Sequence, residues 1–263
     1  MLAEECVAQG KVLFRWRSYL PLVLIPLLLT AVLIERPSPA KPRALDLWLV
    51  TALAVSGAGV VIRILTVGNV PKRTSGRATV NMQAARLNML GMYSVVRHPL
   101  YLGNFLLFLG FCMIAGVWWL CAIYVLMFWL YYERIMMAEE AYLAEQFGDE
   151  YREWVCRTPA FLPNYRLWQA SERPFSMRMV LRREPACWFG WASGFLGIHS
   201  VAQSIYVAEF RVSPSLIVWT ATAFVVYVVA KLIKKKTRWL KIAAPAGEPT
   251  LEFPPQTASR ARV

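Results

Sequence analysis

The residues best equipped for chemistry lie together. Leu87-Asn88, Gly91-x-Tyr93 and Arg97-His98-Pro99-Leu100-Tyr101-x-Gly103 stand directly ahead of a long apolar run. Pro99 suits the first position of a helix, where its missing N–H would have gone unpaired anyway. His98 precedes a proline and is biased toward extended backbone, so the spacing predicts a helix that begins at this junction. A helix start presents unpaired N–H groups and a partial positive charge, a natural seat for a carboxylate or phosphate. Arg97 adds a planar, permanently charged fork for the same kind of anion. Tyr93 and Tyr101 offer ring faces and hydroxyls to a flat, polar ligand. A juxtamembrane anchor touching lipid headgroups uses the same residue types, so this stretch alone leaves both readings open.

A second cluster weights the choice. Tyr131-Tyr132-Glu133-Arg134 closes the apolar run, followed by Glu139-Glu140, Leu143, Phe147-Gly148, Tyr151, Pro159-Ala160-Phe161 and Pro163. Taken in order, Gly91-x-Tyr93, Arg97-His98-Pro99-x-Tyr101-x-Gly103, Glu139-Glu140-x-x-Leu143 and Phe147-Gly148-x-x-Tyr151 resemble the membrane superfamily of isoprenylcysteine carboxyl methyltransferases and phospholipid N-methyltransferases. The resemblance covers roughly residues 85 to 165. It implies S-adenosyl-L-methionine as methyl donor and a membrane lipid as acceptor. It implies a cofactor site lined by Leu87, Asn88, Tyr93, His98, Pro99, Leu100, Tyr101 and Glu139. It also implies catalytic roles for Arg97, Glu140 and an arginine ahead of the paired glutamates. Arg134 is the candidate for that arginine, one residue farther from Glu139 than the pattern has it. Methyl transfer from a sulfonium is an in-line displacement, so its acceleration comes mainly from aligning two reactants in a dry cavity. On their residue types alone, Glu139 and Glu140 also suit a solvated helix face.

The elements that must position these residues read as membrane helices. Hydrophobic residues make up 57% of the 263-residue chain, and mean hydropathy is +0.42. Ser18 to Ile34 and Ala44 to Val67 are apolar runs of spanning length, the second interrupted only by Asp46 and Arg63. Leu100 to Tyr132 carries no charge over 33 residues, too long for one span, and divides at Ala115-Gly116 into a hairpin. Ala186 to Val207 and Ser213 to Ala230 complete six runs. The expectation is an all-α, polytopic bundle of about six transmembrane helices, forming one methyltransferase domain over 1–242 with a disordered tail over 243–263. No cleavable signal peptide is expected, because the first apolar run starts late and lacks a small-residue exit.

Charge placement orients the bundle. Basic residues gather before the first run, between the second and third, between the fourth and fifth, and after the sixth. By the positive-inside rule both termini and the motif clusters are cytoplasmic. The net charge of +13 is then orientation and headgroup attraction, which makes nucleic acid an improbable partner. Arg63, Arg73 and Arg77 suit an anionic headgroup, a phosphorylated glycolipid or a prenyl derivative, although plain retention of positive charge inside accounts for them equally. The five cysteines have no metal-ligand spacing and His199 has no carboxylate neighbour in its run, so no metal site is expected. Two alternatives stay open: a non-catalytic lipid or sterol binder, and a methyltransferase acting on an amine or thiol.

Overall fold

The computed structural model describes residues 1–17, 19–35, 42–69, 86–207 and 212–237, and every regular element among them is helical. In chain order these are α1 Leu2–Trp16, α2 Leu20–Glu35, α3 Pro42–Asn69, α4 Met92–Val95, α5 Pro99–Ile114, α6 Trp118–Arg157, α7 Met177–Arg183, α8 Pro185–Val207 and α9 Pro214–Lys236. A 3-10 turn occupies Tyr165–Leu167. Among the described residues Leu47–Asn69, Trp118–Arg157 and Pro214–Lys236 are long and apolar enough to cross a membrane, and Val23–Ile34 and Pro99–Ile114 are shorter apolar helices. The fifth apolar run falls on α8. Arg73, Arg77 and the tail lie outside the described residues.

Small residues bring the first structural layer together. Ala52, Ser56 and Gly59 on α3 face Gly103 and Gly110 on α5, and a Cβ at Gly59 or Gly110 would collide with the facing carbonyl oxygens of Gly103 and Ala52. Among lipid tails, which are as apolar as leucine, close backbone approach of this kind is what favours helix pairing. Ser56 donates to the Leu107 carbonyl at 2.9 Å and accepts from the Trp191 indole at 2.7 Å, tying α8 to the same pair. Gly116, with φ 68°, makes the turn between α5 and α6 where the hairpin was expected.

Two features were not anticipated. Residues 2–16 contain Glu4, Glu5, Lys11 and Arg15 and no apolar run, yet they form α1, which lies along α6. The backbone of Gly10 sits against the Arg134 carbonyl, and the Tyr131 hydroxyl donates to the Leu13 carbonyl at 2.9 Å. The other is the length of α6, whose apolar part ends at Tyr132 while the helix continues to Arg157. It breaks once, at Gly148, with φ 53° and ψ −121°. A Cβ there would meet nothing within 4 Å, so the backbone conformation, not space, calls for glycine. Beyond the break Tyr151 and Trp154 pack on Leu87, and the Trp154 indole donates to the Tyr93 carbonyl at 3.1 Å.

Candidate active site

The Arg97-His98 pair is held by backbone. Arg97 N–H donates to the Pro159 carbonyl at 2.9 Å, His98 N–H to the Ala160 carbonyl at 3.3 Å, and Asn164 N–H to the Val95 carbonyl at 2.9 Å. Phe161 is buried, edge-on to Phe105 and Trp129. The Pro159-Ala160-Phe161 segment thus clamps the first motif at the start of α5. Gly91, at φ 63°, donates its N–H to the Gln169 carbonyl at 2.9 Å, which anchors the other end of the motif. As the sequence predicted, His98 precedes α5 in non-helical backbone (φ −119°, ψ 60°) with Pro99 at the first helical position.

The side chains form a short charged array. Arg97 Nη1 lies 2.9 Å from Glu140 Oε2. The His98 ring is bracketed, with Nε2 2.9 Å from Glu140 Oε1 and Nδ1 3.6 Å from Glu139 Oε2, and it stacks on Tyr101 with centroids 5.6 Å apart. Burial alone would lower the imidazole pKa, but hydrogen bonds and charge from Glu139 and Glu140 outweigh it and hold His98 above its ordinary value. Burial works against the Glu140 carboxylate as well, and His98 and Arg97 overcome it, drawing Glu140 below the usual range. Burial and the Glu139 charge push the Tyr93 phenol up, so it stays a neutral donor.

These groups open on a cavity of about 750 Å³. Its wall follows one face of α5 through His98, Tyr101, Asn104, Leu107, Phe108 and Phe111, a path on the order of 20 Å at about 1.5 Å per helical residue. The motif end is lined by Leu87, Asn88, Tyr93, Arg97, His98, Pro99, Leu100, Tyr101 and Glu139. Farther along come Arg63, Asn104, Glu184 and Cys187, then the apolar surface of Phe111, Gly190 and Trp191. Arg17 and Phe14, from the end of α1, close another part of the wall, with the guanidinium 3.8 Å above the Phe14 ring.

The structure gathers most of the candidate residues around this cavity. Glu140 stands behind the wall, bonded to Arg97 and His98. Arg134 stands apart. It donates through Nε to Gln9 at 2.8 Å and through Nη1 to the Leu130 carbonyl, under α1 and away from the cavity. Five residues at about 100° each put it roughly 140° around the helix from Glu139. Sequence reasoning passed over Arg17, Asn104, Arg183, Glu184 and Trp191. Glu184 alone among these had a signal, as an acidic residue at the start of an apolar run.

S-adenosyl-L-methionine fits the motif end on three observations. The cavity volume lies within the range of small-molecule pockets. Glu139 offers an acceptor for an ammonium, and the tyrosines offer faces and hydroxyls for a ring and ribose. Arg97 Nε and the Tyr151 hydroxyl are buried there without a hydrogen-bond partner among the described residues, a cost that a polar ligand would relieve.

The comparisons with known proteins point to the class of integral membrane methyltransferases, with which a helical bundle of apolar spans agrees. The phospholipid methyltransferase family matches residues 45–150. The protein-S-isoprenylcysteine O-methyltransferase of Schizosaccharomyces pombe is 36% identical over 73 residues, 28% of this chain and 31% of that enzyme. The nickel-cobalt-cadmium resistance protein NccN of Alcaligenes xylosoxydans xylosoxydans is 30% identical over 166 residues, 62% of this chain and 73% of that protein. The cobalt-zinc-cadmium resistance protein CzcN of Cupriavidus metallidurans is 38% identical over 81 residues, 31% of this chain and 37% of that protein. The chain belongs to the superfamily of membrane methyltransferases that includes the isoprenylcysteine carboxyl and phospholipid methyltransferases. It spans about a third of the length of the fission yeast enzyme and of CzcN. No solved structure matches it.

Proposed function

We propose that the protein methylates an anionic headgroup of a membrane lipid, with S-adenosyl-L-methionine as donor, at a site on the cytoplasmic side of a six-span bundle. One observation carries the reading: a single cavity joins the His98 and Glu139 motif end to a wall of arginines and apolar residues, among them Leu107, Phe108, Phe111 and Trp191. Arg17, Arg63, Arg86, Arg97 and Arg183 line it, against the two carboxylates Glu139 and Glu184. That balance favours an anionic ligand.

The cofactor would supply an electrophilic methyl group. Glu139, fixed by His98, holds the ammonium of the donor. Tyr93, Tyr101, Leu87 and Asn88 hold its ring and ribose. Glu140 keeps Arg97 and His98 in register, a positioning role. An anionic oxygen forms its bond to carbon without first giving up a proton, so the site needs no general base. Arg134, placed under α1, takes no part in this scheme. The names of NccN and CzcN concern resistance to metals; O-methylation of an anionic headgroup removes a negative charge that would otherwise attract a divalent cation, which gives this reading a point of contact with them.

The test is incubation of the purified protein with methyl-labelled cofactor and defined lipids bearing carboxylate, phosphodiester, phosphate monoester or amine headgroups. Label on an anionic lipid is the expected result. Label only on amines or soluble thiols would replace the acceptor, and no cofactor binding by calorimetry would remove the enzyme reading in favour of a lipid binder.

A further inference from the structure

The wall of the cavity beyond the motif end carries an ion pair built from distant parts of the chain. Arg63 donates through Nε and Nη2 to the two carboxylate oxygens of Glu184, each at 3.0 Å, and through Nη1 to Asn104 Oδ1. The Glu184 side chain is 2% exposed and that of Arg63 16%. The pair sits where α3, α5 and the start of α8 meet, with Leu107, Phe108 and Trp191 lining the same cavity. Gly103, part of the first motif, makes room for it, since a Cβ there would stand 2.7 Å from Arg63 Cγ. As a brace alone a buried ion pair is a poor device, because apolar residues of equal volume hold helices together as well or better. Opening on a cavity gives it another use.

The guanidinium has five N–H donors. Glu184 and Asn104 engage three of them; the terminal Nη edge also meets the Cys187 side chain and borders the cavity. We infer that Glu184 is a positioning and specificity-determining residue for the acceptor: it holds Arg63 with that edge toward the headgroup, and it restricts the site to an oxygen carrying a single negative charge. The physical reason is electrostatic. A carboxylate bonded bidentately to the arginine cancels most of its charge, so a second negative charge on the headgroup meets repulsion from Glu184 without compensation, in surroundings where charges are weakly screened. A monoanionic oxygen held by a neutralised arginine also keeps more of its electron density for attack. Glu184 lies outside residues 45–150 that the phospholipid methyltransferase family matches, so the last helices write this preference. The inference rests on the lipid-methyltransferase reading for what the bound lipid is used for, while headgroup binding is measurable without it.

The experiment uses the full-length protein in neutral detergent at pH 8, without cofactor, and radiolabelled single-chain lipids of equal chain length. Their heads are a carboxylate, a glycerol phosphodiester, a phosphate monoester and a trimethylammonium. The expected order places the two monoanions ahead of the monoester and the cation. Glu184→Gln shifts the ratio of monoester to phosphodiester affinity at least tenfold toward the monoester. Arg63→Gln weakens binding of the monoanions at least tenfold relative to the cation. Asn104→Asp, which keeps the pair and adds a negative charge beside the guanidinium, weakens the monoanions at least tenfold and stands in should Glu184→Gln fail to fold. A brace would show itself as a lowered melting temperature with unchanged affinity ratios in the folded variants, and that result overturns the inference. So does a wild-type protein indifferent to headgroup. Cofactor binding and methyl transfer are followed in parallel: their absence from the wild type overturns the enzyme reading and leaves the affinity ratios to decide this one.

Discussion

The cavity has an arginine-carboxylate pair at each end, and the two are built differently. At the motif end Arg97 meets Glu140 at 2.9 Å through one nitrogen, with side-chain exposures of 14% and 27%, and the same carboxylate also holds a histidine. At the other end Arg63 grips Glu184 through two nitrogens, and that carboxylate is almost wholly buried. The first pair is part of a titratable array carried by residues close to the motifs. The second joins α3 to α8 across 121 positions of sequence. One end therefore keeps its carboxylate partly exposed and shared with a histidine, and the other holds its carboxylate almost wholly buried between two nitrogens of one arginine.

The sharpest way to break this contrast is to unpair each end. Glu184→Ala strands a buried arginine, which costs about 3–5 kcal/mol, whereas Glu140→Ala removes a carboxylate that is itself 27% exposed and leaves Glu139 beside His98, and costs less. Denaturant titration in mixed micelles should rank them in that order; equal losses would erase the distinction. Gly103→Ala is the next largest. Its Cβ would press on Arg63 Cγ and lie 3.0 Å from the Gly59 carbonyl, and overpacking of this kind costs about 1–3 kcal/mol. Full stability in that variant would show that the arginine stem can move aside.

At the motif end the larger effect is on the cofactor. His98→Ala and Glu139→Ala should each weaken S-adenosyl-L-methionine binding about tenfold or more, corresponding to a lost charged hydrogen bond of ~1.5–3 kcal/mol. Calorimetry is the check, and unchanged affinity in both would remove them from the site. Acidity should separate the ends further. The folded pKa of His98 is raised, so its contribution is complete below about 6.5 and fades as pH rises through the raised value. Glu140 is lowered, so its contribution is complete above about 4.3 and fades as pH falls through the lowered value. Cofactor affinity should form a plateau between those limits, and His98→Gln should flatten the alkaline limb. The smallest effect belongs to Arg134→Ala, which removes an exposed bond to Gln9 of less than about 1 kcal/mol. A large loss of turnover in that variant would return Arg134 to the chemistry.

Much of this was legible. The Pro99 helix start, the hairpin glycine at 116 and the apolar runs follow from local preferences that act over a few residues. Phe147-Gly148 was readable as a motif piece, but its purpose, a positive-φ break that turns Tyr151 and Trp154 toward Leu87, required the backbone. Helix α1 escaped because Glu4, Glu5, Lys11 and Arg15 break up its apolar residues so that they form no run, and its place is set by packing on α6. The place of Arg134 under α1 escaped linear spacing, which ignores the angle that five residues subtend around a helix.

By itself the sequence determined the helical class, the membrane setting and the helix start at Pro99 with its Arg97-His98 pair. Each depends on composition or on neighbours within one or two turns, where propensity and spacing suffice. Only the tertiary structure decided that Arg97 and His98 share Glu140, that Pro159 and Ala160 clamp their backbone, and that Arg63 answers Glu184. Those contacts join residues tens to more than a hundred positions apart, and no local preference encodes which buried charge will find which partner until the helices have packed.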